Sequence, residues 1–224
     1  MLRNLDLAKI LFLDIETVPE EQKHDGLSPE RQALWEQKTA YQRKGDQSPE
    51  TFYERAGIWA EFGKIVCISV GFFDTNAPNS KQLRIKSFAG EEENILLQFK
   101  QLCDEHFYLK SHLLCAHNGK EFDFPYIARR MVIHRINLPK ILNLFGKKPW
   151  EVQHLDTLQL WKFGDYKHYT SLALLAEIFG IPTPKDDIDG SDVARVYYQE
   201  KNLDRIVRYC EKDVLTLAQV FLTF

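Results

Sequence analysis

Two carboxylates two residues apart interrupt an apolar run at Leu11-Phe12-Leu13-Asp14-Ile15-Glu16-Thr17. In a strand, side chains at i and i+2 leave the same face, so Asp14 and Glu16 stand side by side while Leu13 and Ile15 point the other way. Adjacent anions of this kind invite a divalent cation. Alone, an Asp-x-Glu is more often the solvated face of a half-buried strand, and this one is set apart by its company. Asp123 follows the turn Asn118-Gly119, at the start of a helix with Pro125 in its first turn. Asp213 falls on the apolar stripe of the last helix, with Tyr209 one turn back on the same face. A carboxylate on such a stripe costs several kcal/mol unless it is paired or binds a metal. Each has an ordinary reading. Asp123 can be a helix N-terminal acid, and Asp213 can pair with a buried cation such as Arg208 or Lys212, although neighbours in helical sequence do not face each other. Taken together, four carboxylates without histidine or cysteine partners favour hard cations, magnesium or manganese, over zinc. Two such ions about 3.5 to 4 Å apart stabilise the attacking and leaving oxygens of a phosphoryl displacement.

The elements that must position these groups follow from the surrounding pattern. After the acidic strand, Ser28-Pro29-Glu30 and Ser48-Pro49-Glu50 each combine an N-cap serine, a first-turn proline and an acid near the positive helix end. Two helices are therefore predicted in an insertion at about 20–57, separated by Gly45-Asp46 and placed to serve as a lid or a substrate wall. Lys64 to Phe73 and Leu83 to Phe88 predict antiparallel strands joined by a turn from Asp74 to Ser80. Gly90-Glu91-Glu92-Glu93 opens a helix with an acidic N-terminus and an apolar face of Ile95, Leu96, Phe99 and Leu102. His112 to Ala116 reads as a buried strand. Phe122 to Arg135 reads as a helix with Phe124, Ile127, Met131 and Val132 inward, 139–153 as a loop, and 154–158 as a short strand or strand end. Thr170-Ser171 cap a helix carrying Leu172, Leu174, Leu175 and Ile178, and Ser191 caps a shorter one. The last helix begins at about Leu203, with Ile206, Cys210, Leu217 and Val220 on its stripe. Strands first, then strands alternating with helices, indicate an α/β chain with a mixed sheet covered by helices. With no repeat, low-complexity tract or linker, residues 1–224 are expected to form one domain.

A net charge of −3 gives no global basic field, so any nucleic-acid contact must use local patches or bound cations. Arg129, Arg130, Arg135, Lys147 and Lys148 are candidates for backbone contacts, or equally a solvated helix face and loop. Cys67, Cys103, Cys115 and Cys210 form no Cys-x-x-Cys pair and read as reduced core thiols of an intracellular protein. The apolar run starting at Ile10 reaches Asp14 too soon for a signal peptide or membrane span, so a soluble cytoplasmic protein without membrane partners is expected. No protein partner is indicated.

Phe12-Leu13-Asp14-Ile15-Glu16-Thr17, the stretch His117-Asn118-Gly119-Lys120-Glu121-Phe122-Asp123-Phe124-Pro125-Tyr126, and Tyr209-Cys210-Glu211-Lys212-Asp213-Val214 resemble the three exonuclease motifs of the DEDD superfamily. Their flavour is that of the 3′→5′ proofreading exonuclease domain of family-B DNA polymerases. The resemblance spans roughly residues 10 to 220. It implies a ribonuclease H-like fold, a central mixed sheet of about five strands flanked by helices. Tyr209, four residues before Asp213, marks the tyrosine branch; the histidine branch would need histidine where Arg208 stands. By this resemblance Asp14, Glu16, Asp123 and Asp213 hold two magnesium or manganese ions, and Tyr209 orients the attacking water as a hydrogen-bond partner without ionising.

Smaller motifs resemble those that touch the single-stranded end in that family: Thr17, Asn118, Phe122, Ser171-Leu172-x-x-Leu175, and Lys185-x-x-Ile188. Phe122 offers a face for a terminal base, worth about 1 to 3 kcal/mol of stacking, or is a plain core phenylalanine. Lys185 is equally an ordinary surface lysine. The activity implied is hydrolysis of single-stranded DNA from its 3′ end to nucleoside 5′-monophosphates. RNA as substrate stays open, since the residues do not reveal which 2′ position the site accepts. A non-catalytic nucleic-acid-binding module and another ribonuclease H-like nuclease, such as an endonuclease, are the other readings. All four carboxylates being present favours an enzyme, and Tyr209 with Asp213 favours the exonuclease branch. The motifs use up the length of the chain, so the resemblance is to standalone bacterial-type relatives lacking a polymerase domain.

Overall fold

The apolar run around Asp14 forms strand β1, Ile10–Pro19, in the middle of a five-stranded sheet of order β3-β2-β1-β4-β5. The structure is a computed structural model describing residues 5–74, 82–182 and 188–224. Strands β2, Gly63–Asp74, and β3, Gln82–Ala89, pair antiparallel with β1 and with each other in turn; β4, Leu113–Ala116, and β5, Leu155–Asp156, add in parallel. Parallel neighbours need crossover connections. Helix α3, Glu92–His106, crosses between β3 and β4, and α4, Asp123–Ile133, between β4 and β5. This is the mixed, helix-covered sheet predicted from the sequence. Part of the predicted turn between β2 and β3, residues 75–81, lies outside the described residues.

The central strand is apolar on both faces because both are covered. Leu11, Leu13 and Ile15 join the core that α3 and α4 close with Ile95, Leu96, Phe99, Phe124, Ile127 and Met131. Ile10 and Phe12 face the other way, against Val214, Leu217 and Phe221 of α8, Leu203–Thr223. By strand alternation Asp14 and Glu16 share the Phe12 face, under α8.

The insertion holds α1, Pro29–Thr39, and a single turn α2, Pro49–Phe52, which runs on as 3₁₀ through Tyr53–Ile58. Both serines cap as expected, Ser28 Oγ accepting from the Arg31 N–H and Ser48 Oγ from the Thr51 N–H. The second predicted helix is therefore mostly 3₁₀. Between β5 and α8 lie α5, Thr157–Lys162; α6, Leu172–Ile178, capped by Ser171; and α7, Val193–Arg195, followed by a π-helical turn Val196–Glu200. Helix α5 was not foreseen where only a strand end was expected.

Local rules fail at three further residues. Val132 is 53 % exposed, and its expected inward place on α4 is taken by Arg130, 5 % exposed. Arg130 lies inside because Glu92 awaits it there: Nε donates to Oε1 at 2.8 Å and Nη2 to Oε2 at 2.5 Å. Arg130 is thus a buried ion-pair partner and is unavailable to a nucleic-acid backbone, whereas Arg129, Arg135, Lys147 and Lys148 are exposed. Ser191 does not cap α7; its N–H and Oγ both donate to Asp189 Oδ1, and the N-cap is Asp192. All four cysteines are buried and free. Among the described residues no helix is long and apolar enough to cross a membrane.

Candidate active site

Helix α8 lies close over β2 because Gly71 leaves room: a Cβ there would stand 2.8 Å from Val214 Cγ1. That approach brings Cys210 onto β1, where its thiol meets both the Asp14 main-chain oxygen and Oδ2 at 3.4 Å. Burial pushes the Cys210 thiol well up, so it stays protonated and acts as a hydrogen-bond donor to the carboxylate. Ligand atoms of Asp14, Glu16 and Cys210 lie within 4.8 Å of one another, and the two carboxylates supply the hard donors of that group.

The cleft beside them has a volume of about 620 Å³ and is lined by Asp14, Glu16, Thr17, Phe122, Tyr209 and Asp213 from the predicted set. Asp123, at the first position of α4, is buried beyond this lining at 3 % exposure. Its charge still reaches the others. Asp14 is raised well above the usual carboxylate range, first by burial, then by Asp213 and Asp123. Glu16, 7 % exposed, is raised in the same way by burial, then Asp14 and Asp213. Burial lifts Asp123 to about 7, with Asp156 adding to the rise and the N–H groups of Asp123 and Ile15 opposing it. Asp14, Glu16 and Asp123 thus resist ionisation in one place, with Asp213 adding to the rise at the first two, which is the electrostatic condition a bound cation relieves. The phenol of Tyr209 is pushed up by burial and by Asp213, Glu16 and Asp14, so it keeps its proton and can donate.

The remaining candidates sit as follows. Phe122 is partly buried with its ring 5.3 Å from that of Tyr126, so one face belongs to the core and another to the cleft. Asn118 forms the turn after β4 at φ 63°, its N–H donating to Asp156 Oδ1 at 2.9 Å, and it does not line the cleft. Ser171 accepts from the Leu174 N–H, while Leu172 packs into two clusters between the sheet, α6 and α8. Lys185 lies outside the described residues.

Other residues at or beside the cleft are not marked as site residues by the sequence. Asp156 is 2 % exposed and accepts N–H groups from Asn118, Lys120 and Leu158, pinning the turn that precedes Asp123 to the start of α5. An N-cap signal before Thr157-Leu158 could have found it. Tyr169 lines the cleft, its ring 6.2 Å from His117. His117 in turn donates from Nε2 to Thr170 O at 2.8 Å, with Nδ1 2.9 Å from Thr157 Oγ1. Arg55 and Ile58 come from the insertion, and no local pattern marks them or Tyr169.

A sequence profile described as the RNase_H superfamily matches residues 53–223, three quarters of the chain. The chain belongs to the RNase_H superfamily. Members of this superfamily are nucleases that use divalent metals, so the acidic cleft is of the family's kind. The matched span begins after β1, yet β1 contributes Asp14 and Glu16. A likeness of fold covers more of the chain: the structure of the family B DNA polymerase from the hyperthermophilic archaeon Pyrobaculum calidifontis is similar, with a TM-score of 0.58 at 17% identity, over 95% of this chain. The chain spans 24% of that polymerase's length.

Proposed function

We propose that this chain is a metal-dependent 3′→5′ exonuclease of the tyrosine branch, a single domain that hydrolyses single-stranded DNA ends to nucleoside 5′-monophosphates. The observation that carries the reading is the meeting of Asp14, Glu16, Tyr209 and Asp213 in one cleft with Asp123 close enough to raise Asp14. The residues fit divalent cations. Their donors are carboxylate oxygens, and the nearest charges acting on Asp14 and Glu16 are negative. Asp14, Glu16, Asp123 and Asp213 would hold two magnesium or manganese ions. Bound there, such ions supply the positive charge that lowers the pKa of a water and offsets charge on a phosphodiester.

The chain's own groups do the rest. Tyr209 keeps its hydroxyl proton and orients the attacking water by hydrogen bonding. Phe122 and Thr17 line the cleft beside the carboxylates, where the ring of Phe122 can stack against a terminal base. Asp156 and His117 hold the turn and the 169–170 segment that flank Asp123.

The test gives the purified protein 5′-labelled single-stranded DNA and the matching RNA, with magnesium, manganese or chelator, beside Asp14→Asn. A ladder shortening from the 3′ end of DNA, lost with chelator and in the variant, supports the reading. Preferential shortening of RNA moves the assignment to an exoribonuclease, and binding without cleavage leaves a nucleic-acid-binding module.

A further inference from the structure

The insertion between β1 and β2 is braced at many points. It has its own core, in which Trp35, fully buried, packs against Phe52, Tyr53, Trp59 and Phe62 at centroid distances of 5.1 to 5.9 Å. Its far end is tied to α4, Tyr126 Oη donating to Gly57 O and Arg130 Nη1 to Ala60 O, both at 2.8 Å. Its near end is tied to the π-helical turn, Tyr198 Oη donating to Pro19 O at 2.6 Å and Glu20 O at 2.9 Å. An element fixed at both ends and packed within is a wall, because a lid needs few buried contacts where it opens.

What the wall presents is the 3₁₀ turn Tyr53–Ile58, from which Glu54, Arg55, Gly57 and Ile58 reach the cleft. Arg55 is the one basic residue lining that cleft among the described residues. Its side chain is exposed, its guanidinium lies 5.4 Å from the centre of the Phe52 ring, and among the described residues it has no ion pair or hydrogen bond. The charges that bear most on Asp14 and Glu16 come from neighbouring acids. Arg55 lines the same cleft as the acidic cluster, is ion-paired to none of it among the described residues, and is not among the main influences on Asp14 or Glu16. A guanidinium placed over an aromatic ring keeps its forked donors free for a planar or tetrahedral oxyanion.

We propose that Arg55 forms a phosphate-binding subsite of the cleft, holding a phosphodiester of the substrate chain next to the one that is cleaved. The proposal rests on the nuclease reading and adds a requirement to it: good substrates carry at least two phosphodiesters, one at the carboxylates and one at Arg55. It also gives the braced insertion a task, to fix the distance between the two positions.

The experiment compares wild type, Arg55→Ala and Arg55→Lys on single-stranded oligothymidylate and on the p-nitrophenyl ester of thymidine 5′-monophosphate, which has one phosphodiester. Arg55→Ala is expected to raise KM for the oligonucleotide about tenfold or more with a smaller change in kcat. Its loss of kcat/KM on the ester is expected to be at least tenfold smaller, and Arg55→Lys recovers part of the oligonucleotide loss. Binding of fluorescent oligothymidylate in chelator, followed by anisotropy, is expected to weaken in Arg55→Ala, with the slope of log affinity against log salt shallower by about one. Equal losses on both substrates, or unchanged KM and salt slope, overturn the proposal and leave Arg55 as a cover for Phe52. Inactive wild type overturns the nuclease reading instead, and the anisotropy series still decides whether Arg55 binds phosphate.

Discussion

At Asp14 the chain keeps a buried carboxyl whose ionisation is opposed by burial and by neighbouring acids. Raised carboxylates bind protons more readily folded than unfolded, so at neutral pH they lower the stability of the metal-free protein. The penalty is relieved as pH falls through the folded values toward the ordinary one. Asp14→Asn is therefore expected to raise the metal-free unfolding midpoint, by about 2 to 4 °C for each kcal/mol recovered in a chain of this size. Manganese is expected to raise the wild-type midpoint, and the variant should lose that rise, and more activity than the ~10 to 100-fold that losing a supporting partner costs. A lower metal-free midpoint in thermal melts would count against electrostatic strain at the site. Tyr209→Phe keeps the ring and removes the hydroxyl. If the phenol orients water, kcat drops about 10²-fold or more with KM nearly unchanged; a KM effect with kcat preserved would make the ring a stacking surface. These residues were legible because strand and helix periods are strict. Two residues along a strand and four along a helix fix a face before any tertiary contact is known. Arg55 and Tyr169 were not, since turns and loops carry them into the cleft and packing elsewhere sets their register.

Helix α4 shows at the scale of an element why local rules misplaced a charge. Glu92 reads as an ordinary first-turn acid of α3, but its oxygens accept from Arg130 and from the Ile65 N–H at 2.7 Å, and Oε2 lies 2.7 Å from His134 Nε2. The partner is 38 residues away, beyond any window of sequence periodicity. The pair holds α3, α4, β2 and the insertion together, since Arg130 also reaches Ala60 O. Arg130→Met strands a buried carboxylate and is expected to cost about 3 to 5 kcal/mol. Adding Glu92→Leu should recover part of that and not all, because the Ile65 N–H and Ala60 O remain buried without partners at about 1 to 3 kcal/mol each. Chemical denaturation of the two variants checks the order; full recovery in the double variant would mean that the bridging bonds contribute nothing. Arg130 also holds Glu92 below the usual range. That part of the stability is present above the unfolded value and is lost as pH falls through the folded one.

The whole molecule was legible where burial is two-sided and obscure where an element is short. β1 is buried on both faces from Ile10 to Leu13, in keeping with the apolar run that marks it as a strand in the sequence; its central place is set by its partners on either side. β5 has two residues, too few for a period, and it owes its position to groups around it. One of them is His154. The Leu114 N–H donates to its Nδ1 at 3.2 Å, so Nε2 carries the proton and donates to Ile141 O at 2.9 Å. Both nitrogens are used by the neutral ring, and burial lowers its pKa to about 4. Above about 6.5 neither state binds the proton and stability does not depend on this group. Below it the unfolded chain takes a proton that the folded ring refuses, so stability falls as pH drops from about 6.5 toward 4. At pH 5 the loss from His154 alone is on the order of 2 kcal/mol. His117 is lowered in the same direction and remains in the variant, so the difference between wild type and His154→Gln isolates His154. Denaturant melts at pH 7 and pH 5 should show wild type losing about 2 kcal/mol more than the variant over that interval. Equal losses would place the proton elsewhere and leave β5 held by its ladder and by Asp156.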